Sequence, residues 1–250
     1  DRGKVLEQIR ALTTAYGDRN QVIVSSRWVG YRGELDTFAH FGLLPFDDKD
    51  IEALLRRWFV NHGLRADSLL AALEARPAMR SMAGNPLLLS VLAVAWEREG
   101  TADVRAVDLY GTSVDILLGE ADGDQPLRAC ARRLAYVAQS RGRSSLALEE
   151  MSSILQEVPS DSPGGGSDVQ QVLKTLVEET DLLEPVSEDA YGFPHSSLQA
   201  HLAAEEILKS ETLTDLIDNA TDDRWREVIP LVAGLQQDAT ELIRGILAGP

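Results

Sequence analysis

Three short segments carry residue types that do chemistry as well as packing. The run Gln21-Val22-Ile23-Val24 ends in Ser25-Ser26-Arg27. An arginine at the carboxyl end of a parallel strand stands where open α/β sheets bind ligands, and its planar fork can hold a phosphate bidentately. The plainer reading is a surface arginine that closes a strand. Gly84-Asn85-Pro86 leads into Leu87-Leu88-Leu89-Ser90-Val91-Leu92. Asn85 at the cap and Pro86 in the first turn are good helix-start chemistry. Pro86 would also offer a flat apolar face to a planar base. Phe193-Pro194-His195-Ser196-Ser197 sets an imidazole just before a helix, beside the free N–H groups of its first turn, where it could meet an anion. Here the plainer reading is a capping or packing residue, although Ser196 or Ser197 would each cap the helix without it.

Other chemistry is missing. No G-x-x-x-x-G-K-[ST] occurs: Gly164-Gly165-Gly166 has no lysine after it, and Gly3-Lys4 lacks both the upstream glycine and the following hydroxyl. G-x-S-x-G, H-E-x-x-H and C-x-x-C are absent, so the sequence offers no catalytic residue. Four His and one Cys, widely scattered, give no metal-ligand spacing and no metal site.

The elements that must position the three segments follow from periodicity. Val5, Ile9, Leu12 and Ala15 predict a helix over 4–16, stopped by Gly17. The β-branched run 21–27 predicts a strand buried on both faces, as in a parallel sheet. Nothing else in the first half resembles a second such strand, so its partners are expected outside this chain. Asp47-Asp48-Lys49-Asp50 opens a helix with Ile51, Leu54, Leu55, Trp58 and Phe59 on one face. Further helices are predicted over 68–75, from Pro86 to about Arg98, and over 106–118, before a linker from Gly119 to Asp124.

Helices over 127–139, 146–156 and 169–179 then precede a hairpin of 181–186 and 191–193 around Ser187-Glu188-Asp189, the layout of a winged helix. Pro159 to Ser167 reads as a flexible surface loop. A helix over 196–209 follows. Segments 212–219, 224–235 and 238–248 then look like the opening of an α-solenoid. The fold class is mainly α, with one or few strands from an α/β domain. The expected divisions are 1–45, the edge of an α/β domain; 46–120, a small helical domain; 121–209, a winged helix; and 210–250, the start of helical repeats.

Charge narrows the function classes. Lys and Arg total 24 against 40 Asp and Glu, a formal net charge of -16, which repels phosphate backbones and anionic lipid. No apolar run approaches the ~20 residues of a membrane span. One cysteine excludes an internal disulfide, and Cys130 between Ala129 and Ala131 looks buried. The expectation is a cytoplasmic protein without membrane or nucleic-acid partners.

Taken in order, the segments resemble the C-terminal two-thirds of a NACHT module, from the signal-transducing P-loop ATPases. In that family a strand ending in Thr/Ser-Ser-Arg is the sensor-one element, matched by Ser25-Ser26-Arg27. Leu44-Pro45-Phe46 and Ile51 to Phe59 follow. Gly84 to Leu89 matches the family's Gly-Asn-Pro-Leu-Leu-Leu, and Asp108-Leu109-Tyr110 its Leu-Tyr segment. Phe193 to Ala204 matches Phe-x-His-x-Ser-Phe-Gln-Glu-Tyr-Leu-Ala-Ala, except that Leu198 replaces the aromatic and Ala200-His201 replaces Glu-Tyr. The family's Leu-Pro is missing at Ala102-Asp103-Val104. The likeness covers about residues 1–209, and Arg224-Trp225-Arg226-Glu227-Val228 looks like the start of a HEAT-like array.

The resemblance implies that Walker A and Walker B lie upstream of Asp1, with the Mg site. It implies that Arg27 senses the γ-phosphate, Pro86 packs on adenine, and His195 contacts the β-phosphate of ADP. The implied function is an ADP/ATP-dependent signalling switch that oligomerises on activation by an unknown trigger, as in bacterial defence. His201, further along the same helix, is expected to take no part in ADP retention. Two other readings remain. One is a winged-helix transcriptional regulator, which the acids of 168–179 and of the wing turn oppose; the other is a non-catalytic helical scaffold.

Overall fold

Asp47 starts the first helix of the main unit by a reciprocal cap. Its Oδ1 accepts from the N–H groups of Lys49 (2.8 Å) and Asp50 (2.9 Å), while Asp50 Oδ2 accepts from Asp47 N–H at 3.1 Å. In the computed structural model, which describes residues 2–16, 20–26, 33–99, 105–119, 125–158, 168–210 and 212–248, that helix is α2 (Asp48–Trp58). Ile51, Leu55 and Phe59 are buried as its apolar spacing predicts, whereas Trp58 is 40% exposed. α3 (Gly63–Ala75), α4 (Pro77–Met82), α5 (Pro86–Glu99) and α6 (Ala106–Leu118) complete the first helical group. α3 is longer than the predicted 68–75, and α4 was not foreseen.

The next group alternates. α7 (Gln125–Ser140) is followed by β1 (Ser145–Ala147), α8 (Leu148–Gln156) and α9 (Val169–Lys174). α9 continues into a π-helical turn over Thr175–Glu179, and β2 (Glu184–Pro185) and β3 (Ala190–Gly192) close the group. Asp168 caps α9 by accepting from Gln170 N–H at 3.0 Å. The three strands form an antiparallel sheet in the order β1-β3-β2, with Leu146 opposite Tyr191 and Glu184 opposite Gly192. Only a glycine fits at 192, where a Cβ would lie 2.4 Å from the Ser144 carbonyl oxygen. β1 escaped the sequence reading, because three residues between two helices leave no alternation to see.

α10 (Ser196–Lys209) lies against α7 and, on another side, α12 (Val228–Leu235). α11 (Leu213–Asp218), a 3₁₀ turn over Asp223–Trp225 and α13 (Thr240–Ala248) make the tail. The 3₁₀ turn closes the C-terminal end of α7. Arg224 donates to the Ser140 carbonyl, Gln139 donates back to the Arg224 carbonyl, and Asp222 holds the guanidinium. Gly142 (φ 63°) carries the chain past this contact, where a Cβ would meet Arg224 Cδ at 3.0 Å. One apolar core runs from Ile51 to Leu242 and includes Cys130. Residues 45–250 form one compact unit.

Residues 1–44 form a separate unit, with the first helix, α1 (Arg2–Tyr16), at its start. The strand predicted over 21–27 is not formed among the described residues. Residues 21–26 carry no regular secondary structure and Ile23 is 82% exposed, because a strand needs a neighbour and none of the described residues supplies one. Arg27, the linker residues 120–124 and the loop 159–167 lie outside the described residues.

Candidate functional site

Pro45, Phe46 and Gly84 to Pro86 meet in one corner. Asn85 Oδ1 accepts from Leu87 N–H (2.9 Å) and Leu88 N–H (3.4 Å), and Pro86 occupies the first position of α5, where a missing N–H costs nothing. The Gly84 carbonyl accepts from Phe46 N–H at 2.8 Å. A Cβ on Gly84 would come within 3.3 Å of the Ser81 carbonyl and 3.6 Å of Pro45, so the close approach suits glycine. Pro86 and Leu87 are exposed at this corner.

His195 reaches the same corner from the other end of the chain. Its Nδ1 accepts from Ser197 N–H at 3.1 Å and its Nε2 lies 3.0 Å from Ser81 Oγ on α4. A nitrogen that accepts from an amide carries no proton, so the neutral ring holds its hydrogen on Nε2 and donates it to Ser81. His195 is thus itself the cap of α10, and neither Ser196 nor Ser197 supplies it. This corrects the expectation that capping there does without the histidine: its extended backbone (φ -155°, ψ 145°) aims the ring back over the first turn. Burial pushes the imidazole pKa down from its ordinary value, with the Glu227 carboxylate opposing.

Below the cap sits a partly buried ionic group, built around the buried His201, that local sequence reading missed. The fully buried His201 ring meets Tyr110 edge-on at 6.0 Å and 67°, with Nε2 3.1 Å from Glu205 Oε1. Arg128 on α7 donates from Nε to Glu205 Oε2 at 3.0 Å, contacts Oε1 with its Nη2, and reaches Asp115 of α6 with Nη1. Burial pushes the Glu205 carboxyl up, but His201 and Arg128 outweigh it and hold the pKa at about 2. The His201–Glu205 pairing, four residues apart on one helix, was legible; Arg128, 77 residues from Glu205, left no local signal. His201 is therefore a structural member of α10 and no neutral control for His195.

The described residues hold no group of three or more His, Cys, Asp or Glu arranged for a metal. The chain matches no protein-family model and no curated protein. Of the three residues singled out in the sequence, the geometry brings the Pro86 corner and His195 together through Ser81 and leaves Arg27 outside the described residues. What the corner offers chemically is one N–H donor on a half-buried ring, beside an exposed proline face at a helix start.

Proposed function

We propose that this chain is the regulatory part of a nucleotide-dependent signalling switch of the NACHT type, in which ADP holds the resting state. The observation that carries this reading is the junction of two motif segments 114 residues apart, at Ser81 and His195. Adenine would pack on Pro86, and the β-phosphate would take the Nε2–H that now rests on Ser81. Arg27 would sense the γ-phosphate. Phosphate cradle and Mg would come from Walker segments upstream of Asp1, and the exposed Val22-Ile23-Val24 run would find its partner strands there. The α7-β1-α8-α9-β2-β3 group would be the winged helix, and α11 to α13 the start of HEAT-like repeats. Exchange of ADP for ATP would remove the His195 contact, free the winged helix and permit oligomerisation in the cytoplasm.

The ligand's preference for one state is what biases such a switch. The decisive experiment joins this chain to an upstream segment bearing G-x-x-x-x-G-K-[ST] and measures ADP retention with and without His195→Ala. Equal retention sinks the reading. Among the described residues no helix is long and apolar enough to cross a membrane. The order of α7 to β3 also suits a DNA-binding winged helix, but the exposed face of its third helix carries Glu178 and Glu179 against a single Lys174.

A further inference from the structure

The His195 ring makes two bonds with two nitrogens, and only one of them has room for another proton. Nδ1 holds the cap by accepting from Ser197 N–H, and Nε2 holds α4 by donating to Ser81 Oγ. A proton on Nδ1 turns its acceptor into a donor that faces the Ser197 donor. The ring must then leave the N–H, and leaving it carries Nε2–H off Ser81. One titration therefore breaks both contacts. We propose that Ser81 and His195 form a proton-sensitive pin between α4 and α10, closed with a neutral ring and opened when the ring is protonated.

The surroundings set the direction. The ring is half-buried, which disfavours the imidazolium. Glu227, in the turn before α12, pulls the other way. α4 presents the Ser81 hydroxyl, with Arg80 beside it paired to Asp48 of α2, and the first turn of α10 holds no acid. From α6 the Tyr110 phenol contacts the Ser197 side chain, and burial raises its pKa while Ser197 opposes. A histidine whose folded pKa is depressed stabilises fully above its ordinary value near 6.5 and loses that stabilisation as pH falls through the lower folded value. The pin is thus closed above the ordinary value of 6.5 and opens as pH falls through the depressed value. This inference does not rest on nucleotide binding, and its test uses none.

Imidazole nitrogen NMR on the 250-residue chain from pH 7.5 to 5, with amide exchange corrected for its intrinsic pH dependence, reads both contacts. At pH 7.5 His195 should be the Nε2–H tautomer. The amides of Ser197 and Leu198 and those of Arg80 to Met82 should lose protection together, by about fivefold as befits one cap, at the His195 midpoint. His195→Asn keeps a capping oxygen without a titration and should be flat over this range. Ser81→Ala should keep the pH response of α10 and remove that of α4. An Nδ1–H tautomer at pH 7.5 overturns the proposal. So does α4 protection that ignores the His195 titration, a pH response that survives in His195→Asn, or an α4 response that survives in Ser81→Ala.

Discussion

His195 joins two backbone segments through one ring, and the energy at stake there is that of a single hydrogen bond. A β-phosphate on Nε2 would contribute on the order of 1–3 kcal/mol, available only while α10 stays against α4. Its loss multiplies an open population by roughly 5- to 150-fold. In a protein that carries the Walker segments, His195→Ala should therefore release ADP faster and activate without a trigger. Because the same ring caps α10, the alanine variant also loses about 1 kcal/mol of helix stability. His195→Asn separates the two effects: the cap returns and ADP retention does not. Dissociation of a fluorescent ADP analogue, read beside thermal unfolding, distinguishes them. Asn85→Ala, which removes the cap of α5, should cost about 1 kcal/mol in denaturant unfolding without touching the His195 tautomer.

At the scale of elements, α6, α7 and α10 are tied by Asp115, Arg128, His201 and Glu205. Arg128 and Glu205 are only partly buried and Glu205 keeps His201, so Arg128→Met should cost on the order of 1–3 kcal/mol in urea unfolding, the worth of hydrogen bonds to a charged group. Glu205→Gln gives a pH signature. A carboxyl held at about 2 stabilises fully above its ordinary value of 4.5 and loses this as pH falls through 2. The wild type should be the more stable above pH 4.5, and the difference should shrink toward pH 2. A gap that persists at pH 2 would assign the effect to packing instead. The helices themselves were largely legible: Ala106–Leu118 and Ser196–Lys209 fall where apolar spacing puts them. What stayed hidden depends on distant partners. Ser81 looks like any helix serine until His195 arrives from 114 residues away. The 21–27 run reads as a strand by composition, yet a strand exists only through its neighbours.

For the whole molecule, charge decides what the surface admits. With a net charge of -16, the chain should bind no generic duplex at physiological salt, a result a mobility shift checks and tight binding would reverse. Isothermal calorimetry on residues 1–250 should likewise find no micromolar ADP binding, since the glycine-rich lysine loop that makes most phosphate contacts in such sites is absent. The tail meets the remainder of its unit at an unusual joint. Arg224 plugs the open end of α7, Gln139 grips the Arg224 carbonyl in return, and α12 runs along α10. A pull on α12 is therefore not absorbed by a slack hinge. It would pass to α7 and α10, and α10 begins at the His195 cap, so the seating of the tail and the state of that cap are linked through one helix.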